Sequence, residues 1–314
     1  MDLTTVAHIT PAHSRADLAA LGESVVPLAG GSELFADPRI HLTGLIDLQT
    51  LGWPDLTVTA DGLEIGATCT LAALSQLPAE PGWTCHPVFH QACTALFGSF
   101  KIWNVATVGG NLCTSLPAGP MICLAAALDA EVLLWRADGS DERMPALDFV
   151  TGNTTNVLAP GDVLRSIHVP ATSLAARTAY RKIALSPLGR SGAVLIGRLD
   201  TDGAFVLTIT GGTVRPVQLR YPQAPAAAEL AADIAAIDAW FTDAHGAADW
   251  RRAVSGRLGE EIRQELAVPA VSAPAVSAPA ASASTVSAPP ASAPPASAPP
   301  APIPAADPQD GSPA

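Results

Sequence analysis

Through the first half of the chain, short apolar runs alternate with Gly and Asp turns, and this spacing predicts strands. Val25–Ala29 reads as a buried strand ended by Gly30-Gly31, and Leu45–Leu48 as another. Leu56–Thr59 alternates, Asp61-Gly62 supplies a hairpin turn, and Leu63–Ala67 returns. Thr70 is placed to N-cap a helix running to Leu77, where Pro78 stops it. From Pro87 to about Phe97 the positions of Val88, Cys93, Leu96 and Phe97 give a helical stripe. Glu131–Trp135, then Asp138-Gly139, and Ser166–Val169 before Pro170 complete a first large unit. A second unit opens with Thr178–Lys182. Ala193–Leu199 and Phe205–Thr210 flank Asp202-Gly203 as a hairpin, and helical patterns occupy about 225–243 and 249–266. Strands followed by helices in this order predict an α+β class.

Composition changes this picture mainly at the C-terminal end. The chain has 314 residues and 29 prolines, and 13 of those prolines fall in residues 267–314, a tract of Ser-Ala-Pro and Ala-Pro-Pro units with no aromatic, Lys or Arg. Such a segment has little to bury and is expected to be a disordered or polyproline-like tail. The folded body is then about residues 1–266. A net charge of −12 argues against a nucleic-acid surface. The five cysteines, at 69, 85, 93, 113 and 123, form no C-x-x-C and no ferredoxin-like run. With no signal-peptide pattern and no long apolar span, a cytoplasmic location is expected.

Candidate chemistry centres on two glycine pairs. One lies in Leu28-Ala29-Gly30-Gly31-Ser32-Glu33-Leu34, where a strand ends. The other lies in Ala106-Thr107-Val108-Gly109-Gly110-Asn111-Leu112. Glycine permits φ > 0 and close approach of a ligand, and consecutive amides in such turns can converge on an anion. Two such loops could grip the two phosphates of one dinucleotide, although each alone is also an ordinary tight turn. Neither is Gly-x-Gly-x-x-Gly or a P-loop. His86 and His90, flanked by Cys85 and Cys93, could present metal ligands from one helix, but a structural helix face is the simpler reading. Cys113 and Cys123 sit in apolar surroundings that suit core positions.

Taken together, the motifs resemble the FAD-binding (medium) subunits of molybdenum hydroxylases, such as the carbon monoxide dehydrogenase medium chain and the flavin domain of xanthine dehydrogenase. The resemblance rests on the two glycine segments and on Pro117-Ala118, Leu128-Asp129-Ala130-Glu131, Tyr180-Arg181-Lys182, Gly211-Gly212-Thr213-Val214-Arg215-Pro216 and Asp249-Trp250-Arg251-Arg252…Arg257-Leu258. These occur in order over about residues 1–266. It implies a p-cresol methylhydroxylase-type FAD-binding domain over 1–172, with lobes of about 1–54 and 55–172. A smaller α+β C-terminal domain would follow over 173–266, then the tail over 267–314.

The resemblance also implies roles. The segments Leu28–Leu34 and Ala106–Asn111, with Cys113, would hold non-covalent FAD, the pyrophosphate lying on Gly30, Gly31, Ser32, Thr107, Gly109 and Gly110. Phe97, Lys182 and Leu164 would lie near the flavin ring. Molybdopterin and [2Fe-2S] centres would be carried by a large and a small partner subunit, in a dimer of heterotrimers. Electrons would pass from the [2Fe-2S] centres through FAD to an acceptor. The chain departs from the family where a Ser-Pro-x-x-Asp stretch is usual. It has Leu116-Pro117-Ala118-Gly119-Pro120, with Pro120 in place of the Asp, and Cys123 where a Pro is typical. The alternatives are a stand-alone FAD oxidoreductase of the same fold and a flavin-free structural subunit.

Overall fold

The computed structural model describes residues 3–187 and 189–268, so the tail expected over 267–314 lies outside the described residues from position 269 onward. The described chain is a mixed α/β fold built on three main sheets. The first is a parallel sheet of β1 (His8–Pro11), β2 (Val25–Leu28) and β3 (Gly44–Asp47), with β3 in the middle. The second has the order β4-β5-β10-β6-β7 and is antiparallel. Its strands are β4 (Leu56–Thr59), β5 (Gly62–Gly66), β6 (Glu131–Trp135), β7 (Asp141–Pro145) and β10 (Val163–Pro170). A small ladder joins β8 (Val150–Gly152) to β9 (Thr155–Asn156). The third sheet is an antiparallel meander of β11 (Arg177–Ala184), β12 (Ser191–Leu199), β13 (Phe205–Thr210) and β14 (Val217–Tyr221).

The helices are short until the end: α1 (Leu71–Ser75), α2 (Pro87–Thr94), α3 (Phe100–Trp103), α4 (Val108–Thr114), α5 (Pro120–Ala127), α6 (Ala146–Phe149), α7 (Ala171–Leu174), α8 (Ala227–Ala236) and α9 (Ala248–Ala267). Thr70 does cap α1, its Oγ1 accepting from Ala73 N at 3.1 Å. Every residue of α5 is buried, which is why its sequence shows no amphipathic period. The helix expected over 225–243 stops at Ala236. The segment after it is drawn into pairing: Val214 N donates to Ala239 O and Phe241 N to Gly212 O. Backbone groups committed to this bridge cannot continue a helix.

Three cores result. The largest packs the second sheet against α1, α2, α4 and α5. The smallest joins the first sheet to Val163, with Trp53 and Trp135 against it. The remaining core lies between the meander and α8 and α9. Strand β12 is buried over eight residues because it serves two of them: Val194 and Ile196 face the largest core, and Ala193 and Leu195 face the helices. Buried Arg198, on the same strand, donates to Ala127 O (2.7 Å), Ser173 Oγ (3.2 Å) and Asp129 Oδ2 (2.5 Å), pinning the meander to α5 and α7. Among the described residues no helix is long and apolar enough to cross a membrane.

Candidate functional site

A cleft of about 1160 Å³ opens between the segment after β2, α4 with the loop after it, and the approach to β10. Thirteen of the sixteen residues singled out in the sequence line it: Ala29, Gly31, Ser32, Glu33, Leu34, Phe97, Ala106, Thr107, Gly109, Gly110, Asn111, Cys113 and Leu164. Leu28, Gly30 and Lys182 do not. Leu28 ends β2, paired with Asp47. Gly30 lies against the backbone of the second loop, where a β-carbon would overlap the Val105 carbonyl oxygen and come within 2.6 Å of its carbon. This glycine therefore lets the two loops touch. Lys182 is exposed on β11, the edge strand of the meander.

The two glycine pairs differ in their hydrogen bonding. In the second, every early amide of α4 is already engaged. Val108 N donates to Cys69 O (2.8 Å), Gly109 N to Ala67 O (2.9 Å), Gly110 N to Thr107 Oγ1 (3.0 Å) and Asn111 N to Thr107 O (2.9 Å). Gly109 is required by that packing, because a β-carbon would meet the Ala67 side chain at 2.5 Å. In the first pair, the five consecutive amides of Gly30, Gly31, Ser32, Glu33 and Leu34 donate to no described residue, whereas Phe35 N and Ala36 N turn back onto Gly31 O and Glu33 O. Gly31 has φ +67°, a left-handed conformation of the kind that forms an amide nest. Unpaired donors in a concave site call for an acceptor from outside the chain or from solvent.

Arg39, His41, Arg190 and Ser191 are among the lining residues that carried no signal in the sequence. Arg39 lines the cleft with its Nε buried and unpartnered, and His41 lines it as well. Arg190 and Ser191 come from the turn into β12. Ser191 is 3% exposed and its Oγ has no partner; Arg190 makes no ion pair or hydrogen bond with a described residue. Glu23, Glu33, Asp37 and Asp162 are the lining acids. Asp162 is already committed, accepting from Ala137 N (2.9 Å), Ala159 N (2.9 Å) and Arg136 Nη1 (2.6 Å). Burial opposes its ionisation, but these donors hold its carboxyl below the ordinary range.

The loop that departs from the family is well formed. Pro120 is the first residue of α5, where its missing N–H has no role, and Asn111 Oδ1 takes the Met121 amide at 3.0 Å. His86 Nε2 donates to Leu77 O (2.7 Å), and His90 Nδ1 to Ser75 O (3.3 Å). Burial pushes the thiols of Cys69, Cys85, Cys93 and Cys123 up to about 12, so they remain protonated at neutral pH. The cleft is thus lined by unpaired backbone donors of the first glycine segment, by residues of α4, and by Arg39 and Arg190.

The family described as "FAD binding domain in molybdopterin dehydrogenase" matches residues 5–172. The glyceraldehyde dehydrogenase medium chain of Sulfolobus acidocaldarius is 26% identical over 199 residues, 62% of this chain and 66% of that protein. The carbon monoxide dehydrogenase medium chain of Afipia carboxidovorans is 29% identical over 205 residues, 62% of this chain and 65% of that protein. The aligned parts therefore span just under two thirds of these medium chains. Among solved structures, reconstituted CO dehydrogenase from Oligotropha carboxidovorans superposes with a TM-score of 0.71 at 22% identity, covering 84% of this chain and 98% of that one. At that identity the likeness speaks to the fold.

Proposed function

The chain belongs to the FAD-binding-domain family of molybdopterin dehydrogenases, and from that premise we propose that it is the FAD-binding subunit of a multi-subunit molybdenum hydroxylase. In this reading molybdopterin and [2Fe-2S] centres reside on a large and a small partner subunit, in a dimer of heterotrimers, and electrons leave the assembly through this chain to an acceptor. When bound, FAD supplies the electron-accepting chemistry, so the protein's task is to bind, orient and shield it. The fold would be of the p-cresol methylhydroxylase type, with lobes of about 1–54 and 55–172 and a C-terminal domain over 173–266. The three separate sheets support that division, while two of the cores draw residues from both sides of its boundaries.

The observation that carries the reading is the run of five unpaired amides from Gly30 to Leu34, four of whose residues line the cleft together with Arg39, whose Nε is buried and unpartnered. Successive N–H groups and a guanidinium are the donors that recognise a diphosphate. Because four amides of α4 are engaged within the chain, we read the second glycine segment as serving a different task. It forms the floor on which an extended ligand lies, with Thr107, Gly109, Gly110 and Asn111 excluding side-chain bulk or fixing the helix. Phe97 and Leu164 supply apolar surface for a ring, and Cys113 adds to the same wall.

The test is to purify the full chain, titrate it with FAD, and follow flavin fluorescence and the visible band. Saturable binding is expected, with the affinity falling about tenfold or more in Arg39→Leu, since a charge-assisted hydrogen bond contributes about 1.5–3 kcal/mol. A wild-type chain that takes up no FAD, alone or with the proposed partners, overturns the reading.

A further inference from the structure

The family match ends at residue 172, yet the cleft does not. Two of its lining residues, Arg190 and Ser191, belong to the meander, and both reach the cleft with unused hydrogen-bonding capacity. Ser191 is buried to 3% exposure with its Oγ unpartnered, which is unfavourable unless a ligand or water takes the hydroxyl. Arg190 has no acidic partner among the described residues. It also lies near the buried Arg251 cation, whose pKa is lowered chiefly by burial and in smaller part by Arg190. Arg251 is itself paired with Asp243, which leaves Arg190 as a cleft-lining guanidinium without an acidic partner among the described residues, suited to receiving negative charge from a ligand.

Helix α4 places this pair relative to the diphosphate donors. Its N-terminal end follows Val105, which abuts Gly30 of the first loop. Its C-terminal end leads into Leu116–Gly119, which touches the meander through the Gly211 N to Pro117 O hydrogen bond (2.8 Å). Seven helical residues separate the two ends, a rise of about 10 Å. The first loop and the meander therefore meet opposite ends of α4.

We infer that Arg190 and Ser191 bind the polar pyrimidine edge of the flavin ring, completing from the meander a site whose diphosphate end is built by Gly30–Leu34 and Arg39. This inference rests on the FAD reading above. It gives Arg190 the place that the resemblance assigns to Lys182, which is exposed and lines no part of the cleft. Reduction by two electrons and one proton leaves one negative charge on that edge, so Arg190 favours the reduced form and raises the midpoint potential.

The experiment compares wild type, Arg190→Leu, Arg190→Lys, Ser191→Ala and Arg39→Leu as full chains. FAD affinity, ADP competition and the midpoint potential of bound FAD are read for each. Arg190→Leu is expected to cut reduced-form binding relative to oxidised about tenfold, a midpoint shift of about −30 mV for a two-electron couple, with ADP competition unchanged. Arg190→Lys keeps most of the potential. Ser191→Ala weakens FAD about fivefold and leaves ADP alone. Arg39→Leu does the opposite, losing ADP affinity while the potential holds. Equal potentials in wild type and Arg190→Leu, or a loss of ADP affinity in Arg190→Leu matching its loss of FAD, overturn the inference while FAD binding itself stands. A wild-type chain without FAD affinity overturns the cofactor reading, and this inference with it. Should Arg190→Leu fail to fold, an unchanged FAD affinity in Ser191→Ala or a fully lowered potential in Arg190→Lys overturns it instead.

Discussion

Replacing Gly30 by alanine tests the construction of the cleft most directly. The backbone at this position does not have positive φ, so alanine suffers no intrinsic conformational penalty. The whole effect is steric, and the obstacle is the Val105 carbonyl with the Ala106 Cα 3.2 Å away, which is backbone and cannot swing aside as a side chain would. The loop must part from the entry to α4. Overpacking of this kind costs about 1–3 kcal/mol. That corresponds to a fall in Tm of about 2–4 °C per kcal/mol for a folded body of this size. The larger effect falls on binding. If the shift takes two of the five amides away from a diphosphate, about 3–6 kcal/mol of charge-assisted hydrogen bonding is lost, and FAD affinity drops at least a hundredfold. Gly22 is the control: it lines the same cleft, a β-carbon there meets nothing within 4 Å, and alanine should change the Tm by under about 1 kcal/mol equivalent. Differential scanning fluorimetry with and without FAD, plus fluorescence titration, measures both effects. A Gly30→Ala chain that matches Gly22→Ala in Tm and in FAD affinity would mean that the approach of Gly30 to Val105 does not shape the cleft.

Two other outcomes are expected. In the native chain at pH 8, Cys69, Cys85, Cys93 and Cys123 should resist a chromogenic disulfide reagent, because burial pushes their thiols up to about 12, and all should react once urea unfolds the protein; rapid native reaction of more than the cleft-lining Cys113 would contradict this. Asp129 ties Arg198 to Arg220; burial opposes its charge, but the two guanidiniums hold the carboxyl below its ordinary value. A depressed folded-state pKa adds stability that is fully present above the unfolded value of about 4 and is lost as the pH falls through the folded value. Asp129→Asn, which tolerates the φ of +50° there, should therefore destabilise at pH 7 and flatten the loss of stability below about pH 4 in urea titrations; an unchanged acid limb would argue against the coupling.

Much of the architecture was legible because it follows local rules. Asp61-Gly62 and Asp202-Gly203 turn where expected, Thr70 caps, and residues of both glycine segments line one cleft. Local sequence could not separate the roles of those pairs. Thr107 caps two of the α4 amides locally, but the acceptors of the other two come from Ala67 and Cys69, some forty residues earlier, so the difference between a filled and an open set of donors is in part a tertiary fact. Arg39, Arg190 and Ser191 escaped for the same reason: single polar residues in turns, marked only by what surrounds them after folding. Lys182 shows the converse. A motif gave its position on a strand, but the cleft received the turn that follows that strand. The shortened α8 repeats the lesson, because an apolar helical period over 237–243 lost to a bridge with Thr213 and Val214.

Strand β12 carries a consequence for where this protein can be divided. Its alternate side chains are spliced into two cores, so the largest core borrows Val194, Ile196 and Tyr180 from beyond residue 172. A fragment cut at the family boundary would carry an apolar wound over α5, whose residues Met121 to Ala127 are all buried, and would lose Arg198 from the Ala127 carbonyl. The limit at which resemblance ends and the limit at which burial ends are different lines on this chain, and the seam between them passes through the wall of the cleft.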